Sequence, residues 1–397
     1  MRHSANLDIL RSLAVSAVLG DHLIATLVAH TGFGSQSLVP YGYSMGQAGV
    51  LAFFVHTSLV LMYSLERMSS SSGQVTLHFY VRRFFRIYPL SVFCVTLALI
   101  LHVPDVTWRL PDPVTPQMIV SNLLLAQNIF GKGSVLAPLW SLPFEVQMYL
   151  ALPALYFLTL RKWAIGYLLC LFAIFGGLAT VFHSVTGGHL EIIEYVPCFI
   201  SGVLCYALRN RVRAVLPAAL WAPFVLLLGF GSILLRNGAH PKGSFLTSWI
   251  FCLILGLAIN VFHDSASKPL NTVAEKIAQY SYGVYLVHIP VIYLVFLVLG
   301  VKSALFGTIL VLTITALASV VTYHFIELPF INLGRKLSSP RPVSSSWTMS
   351  AENPSLVLAS GQLFPPKDAE PFARVSAADP RPPRDAGPHE VPPRERG

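Results

Sequence analysis

Asn6-Leu7-Asp8-Ile9-Leu10-Arg11-Ser12-Leu13-Ala14-Val15-Ser16-Ala17-Val18-Leu19-Gly20-Asp21-His22-Leu23-Ile24 is an apolar run that carries ionisable residues. Its length suits a membrane-crossing helix, and ionised side chains are costly in lipid unless they face the interior of a bundle. On a helix Arg11 and His22 lie eleven positions apart, about three turns, so both occupy one face with roughly 16 Å between them along the axis. That face offers a permanent cation near one membrane surface and a titratable imidazole deep inside. Either residue alone reads equally well as a polar side chain bonded to neighbouring helices; the pair on one face favours function. Asp21 adjoins His22 but projects about 100° away on the helix, so it is not assigned as the carboxylate that orients the ring.

The rest of the chain agrees with a membrane setting. Apolar residues make up 54% of the 397 and charged residues 11%, against roughly 25% charged in soluble domains; the mean hydropathy is +0.64. The formal charge of +9 does not point to nucleic acid, because Lys and Arg sit beside apolar segments in alternate loops, where topology accounts for them. Cys94, Cys170, Cys198, Cys205 and Cys252 all fall in apolar runs without paired-ligand or disulfide spacing, and read as small buried hydrophobes. No metal site is expected. The N-terminal run lacks a convincing cleavage site and is expected to be kept as the first span.

Apolar runs near twenty residues place ten spans at about 7–29, 44–64, 83–103, 138–159, 163–182, 190–208, 215–235, 246–263, 280–300 and 303–326. The expected fold is all-α: a polytopic membrane bundle of about ten transmembrane helices. The membrane domain covers 1–337, and a Pro-rich, disordered cytoplasmic tail covers 338–397, as in Pro380-Arg381-Pro382-Pro383-Arg384. Arg67, Arg82, Arg83 and Arg86, then Arg161-Lys162, then Arg209, Arg211 and Arg213 mark three cytoplasmic loops, while Arg109, Lys132, Arg236, Lys242 and Lys302 fall on the other side. An even count puts both termini inside. The longest outer connection, 104–137, holds Pro104, Pro111, Pro113, Pro116, Gly131 and Gly133, which predict irregular structure with a short helix at 117–129, placed to cap a cavity.

Four further polar clusters stand out. Arg82, Arg83 and Arg86 open the third span; Arg83 and Arg86 share a face and can grip phosphate, although a basic cluster at a span boundary is also the ordinary topology anchor. Ser141, Glu145 and Tyr149 recur every four residues and line one stripe of the fourth span, where Glu145 is either a buried lock or faces an interior filled by water or ligand. Ser281, Tyr285 and His288 share a face of the ninth, with a core histidine as the plainer reading of His288. Phe325-Ile326-Glu327-Leu328-Pro329-Phe330 reads as a helix stop.

Taken in order, these motifs resemble the integral-membrane acyltransferase family 3, over residues 6–335. Arg11 to His22 matches its arginine, ten residues, histidine pattern, and Arg82, Arg83, Arg86, Ile87 and Pro89 match its basic motif. Trp140-Ser141-Leu142, Glu145, Gln147 and Tyr149 are similar to its tryptophan-serine-leucine-x-x-glutamate motif, Tyr285, Leu286 and His288 to its late tyrosine-leucine-x-histidine motif, and Glu327, Pro329 and Phe330 to its closing signature. Where the family commonly has Phe-Phe-Val-Leu-Ser-Gly-Phe, this chain reads Phe53-Phe54-Val55-His56-Thr57-Ser58-Leu59. That departure bears on substrate choice.

The resemblance implies a membrane-bound O-acyltransferase that moves an acyl group, acetyl by preference, from acyl-CoA to a hydroxyl of a cell-surface or exported glycan. It implies a bacterial plasma (inner) membrane, acyl-CoA as co-substrate and no permanently bound cofactor. Arg11, Arg82, Arg83 and Arg86 would hold the donor phosphates. Neutral His22 would be the general base, an acyl-histidine intermediate remaining open, and Glu145 would orient it or bind acceptor hydroxyls. Ser141, Tyr149, Tyr285, His288 and Glu327 are further candidate site residues. Some relatives carry a fused extracytoplasmic hydrolase-like domain, so this chain is expected either to finish the reaction itself or to use a separate partner. A transporter or flippase of a glycan or lipid-linked substrate is the competing class, and a scaffold acting through the Pro-rich tail is a third; neither accounts for the whole motif series. The topology is testable by cysteine labelling: a cysteine at Ser69 should resist an impermeant outside reagent and one at Ser134 should react. The reverse pattern would invert the assignment.

Overall fold

The protein, seen in a computed structural model, is described over residues 4–69, 74–103, 114–186, 191–238 and 244–338. The Pro-rich tail from 339 onward, Pro104, Arg109, Pro111, Pro113 and Lys242 lie outside the described residues. What is described is a helical membrane bundle. Its helices are α1 (Ala5–His30), α2 (Val39–Ser69), α3 (Val75–Leu101), α4 (Pro116–Leu123), α5 (Leu142–Thr159), α6 (Ala164–Thr186), α7 (Ile192–Leu208), α8 (Trp221–Gly238), α9 (Ser244–Ile259), α10 (Lys268–Tyr293), α11 (Ala304–Thr322) and α12 (Leu328–Leu337). Each of the ten apolar runs holds one helix. Among the described residues seven helical segments are long and apolar enough to cross a membrane, and Ile192–Leu208 and Phe245–Ile259 are shorter apolar helices.

Helix α1 packs between α2 and α10, and α2 continues the contact to α7, which reaches α6 and α9. Burial separates centre from rim: 72% of the apolar stretch within Gln36–Ser69 is buried, against 17% within Ala164–Phe182 and within Ala218–Asn237. The lipid side is carried by residues such as Leu227, Leu305 and Phe325. The start of α1 is held from far along the chain. Asp264 accepts from the backbone amides of Ala5 at 3.2 Å and Asn6 at 2.9 Å, so its carboxylate satisfies donors that the first turn of a helix leaves unpaired. Trp221 Nε1 donates to the Asn6 carbonyl at 2.9 Å.

Several boundaries differ from the sequence reading. Helix α10 starts at Lys268, twelve residues before the apolar run, because Pro269 suits a first turn and Ala274 and Ala278 face α1 while Lys268, Glu275 and Lys276 stay exposed. Ser12 Oγ donates to the Ala274 carbonyl at 2.8 Å and ties that extension down. Helix α3 likewise starts at Val75, which places Arg82, Arg83 and Arg86 within the helix rather than at its entrance.

The expected helix stop at Glu327 to Pro329 does not occur. The chain passes through a wider π turn at Tyr323–Glu327 and continues as α12, with Pro329 in the opening positions where a missing N–H costs little. The helix expected at 117–129 is α4, capped by Thr115, whose Oγ1 accepts from Met118 N at 3.2 Å, and it ends at Leu123. Beyond it the connection is ordered by Asn122, which donates to the Gly133 carbonyl at 2.9 Å and accepts from Val135 N at 2.9 Å. All five cysteines are free; four are buried, whereas Cys170 is exposed on the rim.

In lipid, close helix contacts rest on packing and on small residues rather than on expulsion of water. A Cβ at Gly202 of α7 would lie 2.1 Å from Ser58 Oγ and 2.2 Å from the Val55 carbonyl of α2, and one at Gly49 of α2 would lie 2.6 Å from the Ala14 carbonyl of α1. Gly202→Val should therefore prevent stable assembly, whereas Gly166→Ala, with nothing within 4 Å of the added Cβ, should leave the unfolding temperature in detergent unchanged or slightly raised. Equal stability of the two variants would refute this reading of the α2–α7 contact.

Candidate active site

Of the cavities along α1, two are lined by ionisable side chains, and α1 contributes to both. The first, of about 110 Å³, is lined by Arg11, His56, Arg83, Arg86, Glu145 and Tyr149, with Thr57, Ser141, Ser281, Tyr282 and Tyr285 completing it. The second, of about 450 Å³, is lined by Asp21, His22, Tyr43, Gln47, Trp140 and Tyr285 among others. Val50 and Tyr285 line both. The helical register of α1 thus puts Arg11 in one chamber and His22 in the other, roughly 16 Å further along.

The first chamber gathers cations. Arg11 Nε donates to Ser281 Oγ at 2.6 Å, which brings the first and tenth helices together at a polar point. Arg86 forms a close ion pair with Glu327, whose side chain is fully buried, and its guanidinium lies 5.4 Å from the Tyr282 ring centroid. The guanidinium of Arg83 makes no hydrogen bond to a described residue, and its Nε is buried. Glu145 accepts from Tyr149 Oη at 2.5 Å, one helical turn along α5, and Thr57 also faces it. With Glu327 engaged by Arg86, Arg11 and Arg83 face a single carboxylate, so the chamber favours an anion. Arg82 does not reach this chamber: its Nε donates to Ser338 Oγ at 2.6 Å, at the end of α12.

The second chamber is lined by one imidazole, that of His22, and a second, buried imidazole packs against it. His22 stacks on His288 with ring centroids 5.1 Å apart and planes 10° from parallel. The Nδ1 of His288 lies 2.9 Å from the Val284 carbonyl. A carbonyl only accepts, so Nδ1 carries the hydrogen and Nε2 is left as an acceptor; that Nε2 is buried without a partner among the described residues. Between the chambers, Tyr285 Oη donates to the Pro138 carbonyl at 2.8 Å and lies 2.7 Å from Ser141 Oγ. The stripe Ser281, Tyr285, His288 is therefore shared out: Ser281 to Arg11, Tyr285 to the wall, His288 to His22.

The structure does not bring Glu145 to His22; it stands in the arginine chamber. The carboxylate beside the imidazole is Asp21, whose Oδ2 lies 3.7 Å from His22 Nδ1. The 100° separation on a helix describes where Cβ atoms start, and two side chains can still converge beyond them. Sequence reasoning had set Asp21 aside for that reason. It also left His56 without a role, though a histidine in the apolar second span was visible; His56 is 6% exposed and lines the arginine chamber. Tyr43, Gln47 and Tyr282 carried no signal, since their importance lies in which helices meet.

The removal of Arg86 should strand a buried carboxylate. Arg86→Ala is expected to lose about 3–5 kcal/mol of stability, and adding Glu327→Gln should recover most of it, as read by thermal unfolding in detergent. Unchanged stability of Arg86→Ala would show that the pair does not hold α3 to the end of α11.

The acyltransferase domain family matches residues 4–324. Among curated proteins, the chain is 25% identical to the O-acetyltransferase OatA of Staphylococcus aureus strain MRSA252, over 91% of this chain and 64% of the relative. It is 25% identical to OatA of strain NCTC 8325, over 84% and 58%. A putative O-acetyltransferase of strain MSSA476 is 25% identical over 86% and 59%. The chain thus spans about three fifths of the length of the curated relatives it matches. No solved structure matches it. With one family model covering most of the chain, this protein belongs to the acyltransferase domain family.

Proposed function

We propose that the protein is a membrane O-acetyltransferase that transfers an acetyl group from acetyl-CoA to a hydroxyl of a glycan. The observation that carries this reading is the pair of chambers that share Val50 and Tyr285, one rich in arginine and the other lined by His22, whose ring His288 backs from within the protein. Arg11, Arg83 and Arg86 suit the phosphates of CoA, because guanidinium forks bind phosphate oxygens with charge-assisted hydrogen bonds. The separation of roughly 16 Å from Arg11 to His22 suits an extended pantetheine arm running along α1 past Tyr285. The relatives named O-acetyltransferase support acetyl and oxygen as donor group and acceptor atom.

In this mechanism His22 takes the proton of the acceptor hydroxyl as its oxygen attacks the thioester carbonyl carbon. The C–O bond forms, the C–S bond breaks, and the departing CoA sulfur recovers the proton from the imidazolium. The chamber around His22 offers Trp140 and Tyr43 as aromatic faces and Gln47 and Asp21 as polar edges, a set suited to the apolar faces and hydroxyls of a sugar. A bacterial plasma membrane with both termini cytoplasmic puts the basic residues of α3 on the side where CoA is found. Delivery to an extracytoplasmic acceptor could then involve a separate partner protein.

The test uses the full chain in lipid nanodiscs with radiolabelled acetyl-CoA and a panel of oligosaccharides. His22→Gln should bind CoA normally and lose two to four orders of magnitude in transfer, roughly the contribution of general base catalysis. Arg83→Ala, which breaks no ion pair, should weaken CoA binding about 10- to 100-fold, the worth of hydrogen bonds to a charged group. Near-normal transfer by a stable His22→Gln protein would overturn the mechanism.

A further inference from the structure

We infer that Asp21 is the positioning residue for His22, the two forming an acid–imidazole dyad seated in a notch of glycines on α2. Asp21 is 8% exposed, and its Oδ2 lies 3.7 Å from His22 Nδ1. Among the described residues neither carboxylate oxygen receives a hydrogen bond, although the residue lines the second chamber. A buried carboxylate left without a donor is expensive. The imidazole of His22 lies beside it, with Nδ1 3.7 Å from Oδ2. Geometry of this kind is commonly loose before substrate arrives.

The seat is built by the neighbouring helix. A Cβ at Gly46 would lie 2.2 Å from Asp21 Oδ2 and 2.8 Å from its Cβ, and a Cβ at Gly42 would lie 3.5 Å from Oδ1. Two glycines one turn apart on α2 therefore leave the space that the carboxylate fills, and any larger residue at Gly46 would push it out. From the other side α10 fixes the ring by stacking His288 on it. The groups facing the dyad are Tyr43 and Gln47 on α2, with Arg236 of α8 bonded to Gln47, and Tyr285 and His288 on α10.

The dyad has two consequences for chemistry. A hydrogen on Nδ1, held by Asp21, leaves Nε2 of His22 as the atom that accepts a proton. When it does so the ring becomes a cation in a medium of low dielectric, which is costly without a counter-charge. Asp21 supplies that charge at the ring itself. The same need arises if Nε2 attacks the thioester, because an acyl-imidazolium is also a cation. The role of Asp21 thus rests on His22 being the reacting residue, as proposed above, but not on the choice between base and nucleophile.

The experiment has two arms that fail separately. In the first, protein labelled with 15N-histidine is reconstituted in lipid, and the His22 signals are found by difference against His22→Gln. Wild type should show His22 with its hydrogen on Nδ1. Asp21→Asn, which keeps the volume, and Gly46→Ala, which keeps the carboxylate but displaces it, should both alter that tautomer; an unchanged tautomer in Asp21→Asn overturns the dyad whatever the protein's activity. The second arm follows release of CoA thiol from acetyl-CoA with maltopentaose, cellopentaose and chitopentaose present. Asp21→Asn should lower turnover 10- to 100-fold with unchanged CoA affinity, and should cost nothing further in a His22→Gln background. A full additional loss in that background would make Asp21 a structural residue. Full turnover by His22→Gln alone would instead sink the catalytic reading of His22 and leave the tautomer result standing.

Discussion

An ion pair between residues 241 positions apart is the constraint around which this bundle closes. Arg86 on α3 and Glu327 at the π turn after α11 are both charges that lipid would not tolerate alone, and each is made tolerable by the other. The pairing decides where the last helix must lie. It also explains why the chain widens into a π turn at Tyr323–Glu327 instead of stopping: the turn lets the helix carry Glu327 to Arg86 and still run on as α12.

The same logic governs the chamber beside that pair. With Glu327 occupied by Arg86, the remaining guanidiniums of Arg11 and Arg83 outnumber the carboxylate of Glu145, and Glu145 is itself engaged by Tyr149. A surplus of positive charge enclosed by helices needs solvent or an anion to complete it, which is the charge balance that the proposed donor would meet. The imidazole chamber is different in kind. It is lined by His22, Asp21 and an aromatic wall of Tyr43 and Trp140, and it shares with the first chamber Val50 and Tyr285, whose hydroxyl is tied to Ser141 and Pro138. In the proposed mechanism, binding and proton transfer are separated along a single helix.

Glycines make this separation possible. Gly202 and Gly49 allow α7, α2 and α1 to approach at backbone distance, and Gly46 opens room for a carboxylate within that tight contact. Close packing and a buried polar pocket would otherwise compete for the same space between α1 and α2. Small side chains at successive turns let both exist on one interface.

Much of this was legible in the chain itself. Each of the ten apolar runs became a helix, and the three-turn spacing of Arg11 and His22 placed them on one face, because membrane helices must satisfy every backbone group internally and so keep a regular register. The ordered motifs marked the polar clusters by the cost of burying them. Which cluster meets which was decided only by tertiary structure. Arg82 and Arg83 are adjacent, yet one turns to Ser338 and the other to the arginine chamber. Glu145 and Asp21 exchanged places relative to His22, since periodicity gives the direction in which a side chain leaves its helix but not the neighbour that awaits it. Register is local and is written in sequence; partnership depends on how helices distant in the chain pack, and that is settled by shape and charge in three dimensions.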